Sequence, residues 1–151
     1  MTARMLIVHG KAPLSRAIAW FTRSAASHAA LYFDNDQAVI EATWPRVRKI
    51  NFADWVKELG DTPFEIFHIE VTPEQYYKIR TFASGQLAKP YSVWGDLKFV
   101  TRTDYDSLPD DKWFCSELVF QAFKEAGIDL LARTEAWEVP PGWLPRSPLL
   151  T

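Results

Sequence analysis

"SHAALYFDNDQAVIEAT" (Ser27–Thr43) sets two apolar runs around the turn residues Asp34-Asn35-Asp36 and reads as a β-hairpin. Side chains alternate along a strand, so His28, Ala30 and Tyr32 share one face, and Val39 and Glu41 share a face of the partner strand. A loop of even length, Asp34–Gln37, pairs Phe33 with Ala38 and sets Ala30 opposite Glu41. His28 and Glu41 are then diagonal neighbours with roots about 7–8 Å apart, a gap that an imidazole and a glutamate can bridge with a hydrogen bond. An odd loop would put them on opposite faces. A carboxylate inside the apolar "AVIEA" needs a partner, because an unpaired buried charge is costly.

Outward from the hairpin, "MLIVHG" reads as a short strand ended by Gly10. "LSRAIAWFTR" has the helical spacing Leu14, Ala17, Ile18, Phe21, with Pro13 at its start. On the other side, Trp44-Pro45 breaks the second strand, and "NFADWVKEL" is a short helix with Asn51 as its cap. "FEIFHIEV" is expected to be a strand apolar on both faces, with His68 a candidate core histidine. "TPEQYYKIRTFASGQL" opens with Thr72 as N-cap, Pro73 in the first turn and Gln75 as capping-box partner; Gly85 lies near its end. "AKPYSVWGDLKFVTRTDYDSLPDD" is polar and aromatic and reads as loop with some short helix. The tail "WEVPPGWLPRSPLLT" holds four of the ten prolines, too many for regular structure, and is expected to be an ordered wrap burying Trp137, Trp143 and Leu144. No linker divides the chain, so the expectation is one α+β domain over residues 1–151.

The chain of 151 residues carries a net charge of −2 with both signs mixed and no basic stripe, so a nucleic-acid partner is not expected. Its single cysteine rules out an internal disulfide. The apolar run Met5–Val8 is shorter than a signal-peptide core, and no stretch approaches the roughly 20 apolar residues of a membrane span. The expected location is the cytoplasm of the producing cell.

That cysteine lies in "WFCSELVFQAFKEAGI". From Cys115, Leu118, Val119, Ala122, Phe123 and Ala126 form one helical face, and Gly127 is a natural residue to follow the helix. Asp110 and Asp111 stand where an N-cap is wanted. Cys115 therefore lies in the first turn, where unpaired N–H groups and the helix dipole favour a thiolate. Most buried free cysteines are inert filler, so a nucleophile reading needs a base. Of His9, His28 and His68, His28 has a carboxylate within reach. A thiol, an imidazole and an acceptor that orients it are the three parts of a nucleophilic unit, and Cys115, His28 and Glu41 suit them. His9, beside the Gly10 turn, is the next polar candidate for the site. One cysteine and three scattered histidines match no zinc-ligand spacing, and no metal or other cofactor is expected.

Taken in order, "SHAALYF", "VIEAT" and "FCSELVFQAFKEAGI", with "MLIVHGK…SRAIAWFT", "KPYSVWGD" and "LPRSPLL", resemble the YiiX/YebB-like permuted papain-fold hydrolases, relatives of the NlpC-type cell-wall amidases. In that permuted group the order is histidine, polar residue, cysteine, as in His28, Glu41, Cys115. The resemblance implies a small antiparallel sheet packed against helices and hydrolysis or transfer at an amide, thioester or ester carbonyl. Cys115 would be the nucleophile, His28 the base and acid, and Glu41 the orienting residue. Backbone N–H groups at the start of the Cys115 helix would hold the oxyanion. Tyr91, Tyr32, His9 and Ser116 are the expected substrate-lining residues. Ala30 departs from the pattern, since relatives often carry glycine shortly after the histidine; a methyl there narrows the space beside the imidazole and bears on substrate choice.

The leading reading is a cysteine hydrolase of a small-molecule, peptide or acyl substrate. Two others stand beside it: a lipid acyl hydrolase or acyltransferase using the same chemistry, and a non-catalytic binding module on the same fold.

Overall fold

The computed structural model describes residues 1–10, 26–92 and 112–151. The expected helix at "LSRAIAWFTR", most of the expected loop after Ser92, and Asp110 and Asp111 lie outside them. Five antiparallel strands form one sheet in the order β4-β3-β2-β1-β5: β1 (Thr2–Val8), β2 (His28–Phe33), β3 (Ala38–Ala42), β4 (Val47–Asn51) and β5 (Phe64–Glu70). The described helices are α1 (Phe52–Leu59), α2 (Pro73–Gly85) and α3 (Cys115–Glu125).

The strand alternation separates two cores. Met5, Ile7, Ala29, Leu31, Phe33 and Ile40 face α2 and α3, while Leu6, Val8, Ala30, Tyr32, Val39 and Trp55 pack together on the α1 side. β2 and β3 are covered on both faces, which is why they read as continuous apolar runs. Phe33 stands opposite Ala38, the register an even loop demands. Asn51 caps α1 by accepting from the Ala53 N–H, and Thr72 and Gln75 close the capping box of α2, as their sequence chemistry predicts. Gly127 takes a positive φ of 75°, a conformation an L side chain resists, and so ends α3.

Several expectations need correction. β5 is an edge strand in which only Ile69 is buried, so "FEIFHIEV" is not apolar-packed on both faces. His68 is only partly buried; its backbone N–H and carbonyl pair with Thr151, which covers part of that edge. β1 begins at Thr2, before the apolar run. In the tail, Leu144 is fully buried, but Trp137 and Trp143 are each 37% exposed; Val139 and Ala136 share the inward positions instead. The N-cap of α3 is Phe114, whose N–H donates to Glu117 Oε2 at 3.4 Å. β4 goes beyond the sequence expectation: in Val47–Asn51 only Val47 is buried, and Arg48, Lys49, Ile50 and Asn51 are partly or fully exposed, the pattern of a solvated edge.

Candidate active site

Glu41 is the site's anchor. It is 2% exposed and lies on the α1 face of β3, directly opposite Arg48 of β4. Continuing the hairpin register places Ala30 opposite Glu41, so His28 is its diagonal neighbour. The bridge is present: His28 Nε2 and Glu41 Oε2 are 2.6 Å apart. Trp55 Nε1 donates to the same oxygen at 2.9 Å, while Arg48 Nε and Nη2 donate to Oε1 at 2.9 and 2.7 Å. Both carboxylate oxygens thus carry two partners, which is what allows a charge to stay buried there.

Cys115 is the first residue of α3 and is buried. α3 packs on the sheet face opposite Glu41. The thiol meets the imidazole because His28 opens β2 at the rim of the sheet. Cys115 acts on the ring as one of the two groups that raise the His28 imidazole, the other being Glu41. With Nε2 on Glu41, Nδ1 is the nitrogen left for sulfur. The first helical bond of α3 runs from the Leu118 N–H to the Phe114 carbonyl, so the Cys115 and Ser116 N–H groups precede the ladder.

Burial alone would push His28 down, but hydrogen bonds to Cys115 and then Glu41, with the charges of both, outweigh it and raise the imidazole from 6.5 to about 10. Burial likewise pushes Glu41 up, and the bond to and charge of His28, followed by the Trp55 and Arg48 bonds, hold it down at about 2. The ring is an imidazolium at neutral pH, facing an ionised carboxylate. Stability linked to His28 is fully present below about 6.5 and lost as pH rises toward about 10; that linked to Glu41 is present above about 4.5 and lost as pH falls toward about 2. Urea unfolding across pH is expected to give a plateau between about 4.5 and 6.5 in the native protein, and His28→Gln to flatten its alkaline limb. An unchanged alkaline limb in that variant would refute the assignment.

The other expected site residues divide. Tyr91 stays beside the thiol's helix: its N–H donates to the Pro45 carbonyl at 3.0 Å, it bridges to Trp113, and its ring centroid lies 6.1 Å from that of Phe114. Tyr32 shares the face of His28 but is 8% exposed, stacked on Phe52 at 4.4 Å and bonded through its hydroxyl to Gln37. It is a packing residue, because the α1 side of β2 is covered by Phe52 and Trp55. Ser116 is fully buried and its hydroxyl donates to the Val139 carbonyl, tying α3 to the tail rather than lining a pocket. His9 follows Val8, the partner of His28, and so lies on the other face; its Nε2 is 2.7 Å from Glu65 on β5. Arg48 and Trp55 were missed. Cross-strand pairing of Glu41 with Arg48 would have exposed the first, had β4 been recognised.

An antiparallel sheet carrying histidine and glutamate, with a cysteine at the start of the helix packed on it and following them in the chain, defines the permuted papain-like class. The sequence model described as "Permuted papain-like amidase enzyme, YaeF/YiiX, C92 family" matches residues 5–135, and the chain belongs to that family. Its fold is also that of the structure described as the crystal structure of metalloprotein yiiX from Escherichia coli O157:H7, with a TM-score of 0.73 and 21% identity over 100% of this chain and 94% of that one. No curated protein matches the sequence significantly. The family is one of cysteine amidases, and the class of the chain is accordingly that of a papain-like hydrolase. "Metalloprotein" describes the yiiX protein. Among the described residues of this chain no group of three or more His, Cys, Asp or Glu could hold a metal ion. The Glu41 oxygens are already filled by His28, Trp55 and Arg48. These residues do not fit a metal centre. Among the described residues, no helix is long and apolar enough to cross a membrane.

Proposed function

We propose that the protein cleaves an amide bond through a covalent acyl-enzyme, with Cys115 as nucleophile, His28 as proton carrier and Glu41 as its orienting partner. The observation that carries this is the 2.6 Å contact of His28 Nε2 with Glu41, which reserves the other ring nitrogen for the Cys115 thiol. Cys115 sulfur, its proton held on His28, attacks the carbonyl carbon, and the carbonyl π electrons move to oxygen. Backbone N–H groups at the start of α3 stabilise that oxyanion. As the carbonyl re-forms, the C–N bond breaks and the imidazolium gives its proton to the leaving amine. Water then attacks the thioester while neutral His28 accepts its proton. Collapse expels the Cys115 thiolate, releases the carboxylic acid and restores the imidazolium. Glu41 keeps the ring in one orientation and compensates its charge throughout. Tyr91, packed beside Phe114 at the start of α3, is the residue we assign to substrate contact, and the same chemistry extends to ester or thioester carbonyls.

The test needs no knowledge of the natural substrate. Mixing the protein with a short-chain p-nitrophenyl ester is expected to release a burst of nitrophenol and leave an acyl mass on Cys115, seen by intact and peptide mass spectrometry. Cys115→Ala is expected to show neither. Absence of both from the native protein would defeat the proposal and leave a binding module as the better reading.

A further inference from the structure

Arg48 takes no part in the acyl-transfer steps, yet its guanidinium is committed to the site's carboxylate. Nε and Nη2 both donate to Glu41 Oε1, at 2.9 and 2.7 Å. On its far side, Nη2 and Nη1 reach the Glu58 carboxylate at 2.6 and 3.4 Å, so α1 holds the guanidinium against β3. We propose that Arg48 is a positioning residue, whose two-pronged contact with one Glu41 oxygen turns the other toward His28. The inference rests on the reading of Cys115, His28 and Glu41 as one catalytic unit.

The terminal torsion of a glutamate is broad, so a single hydrogen bond to an imidazole leaves the carboxylate plane free to tilt. Two donors of a rigid planar fork on one oxygen remove that freedom, and the Trp55 indole, donating to Oε2 from the buried side, limits it further. Lysine would supply the charge without the fork. Among the described residues, the titratable groups that act on His28 are Glu41 from β3 and Cys115 from α3. Arg48 from β4 and Glu58 from α1 reach it only through Glu41, and Trp55 is neutral.

Orientation and charge predict opposite signs. As a bare cation near an imidazolium, Arg48 would weaken proton binding by His28, so its removal would strengthen it. As the residue that aims Glu41, its removal loosens the Nε2–H bond and weakens proton binding. NMR titration of the His28 ring in the native protein, Arg48→Met and Arg48→Lys separates the two. Proton affinity is expected to fall about tenfold or more in both variants. A rise in Arg48→Met, no change in either variant, or a lysine variant that titrates like the native protein would each overturn the inference. Should the methionine variant not fold, the lysine variant decides alone. Alkylation of Cys115 separates this failure from a deeper one. Equal rates in native protein and His28→Ala would remove the catalytic unit itself. A histidine-dependent rate with unmoved Arg48 variants removes only the role of Arg48.

Discussion

Replacing His28 with alanine is expected to cut turnover by about a hundred- to ten-thousand-fold, the range for loss of a positioned proton carrier. The fold should survive, because His28 opens β2 at the sheet rim and its side chain is 23% exposed. The loss has two sources. Attack needs a thiol whose proton has somewhere to go, and amine departure needs that proton delivered; the imidazole, raised to about 10 between Cys115 and Glu41, serves both. A substrate-independent readout accompanies it. Iodoacetamide is expected to alkylate Cys115 near pH 6 at least about tenfold faster in the native protein than in His28→Ala, since only the thiolate reacts. Matching alkylation rates at every pH would show the thiol to be buried filler.

The second large effect belongs to Glu41. Glu41→Ala is expected to destabilise the protein by about 3 kcal/mol, the lower end of the cost of removing one partner from a buried charged network. In a domain of this size that lowers the melting temperature by about 6–12 °C. The buried Trp55 indole loses its acceptor, and the His28 imidazolium and Arg48 lose their counter-charge. Arg48 can turn to water and keeps Glu58, which holds the cost at that lower end. Glu41→Gln is expected to cost less stability than Glu41→Ala, because the amide oxygen still accepts from Trp55 although its NH2 then faces the Arg48 donors, and to lower turnover, because it no longer compensates the imidazolium. A glutamine variant that turns over normally per folded molecule would reduce Glu41 to a structural role.

Local chemistry accounts for how much of this was readable. The His28–Glu41 contact follows from strand alternation and the parity of one loop, both short-range. Cys115 at the first position of α3 follows from helical spacing. The capping boxes and Gly127 are likewise decided within a few residues. β4 escaped because a five-residue edge strand with a single buried residue has too little apolar signal, and with it went Arg48, whose partner lies on the neighbouring strand. Trp55 was legible as a helix residue, but not as a donor to Glu41.

Thus the sequence by itself determined the hairpin and the helix holding the nucleophile candidate, and its ordered motifs carried the resemblance to the permuted family; the structure chose the even loop and with it the register. Only the tertiary structure decided that α1 folds over Glu41 to fill its oxygens. It also decided that Tyr32 and Ser116 serve packing, that His9 pairs with Glu65, and that Trp137 and Trp143 remain partly exposed. The physical reason is separation along the chain. His28 and Cys115 are 115 − 28 = 87 positions apart, and no local preference acts over that distance. Their meeting depends on burying the apolar face of α3 against the sheet, a long-range term to which every layer of the core contributes.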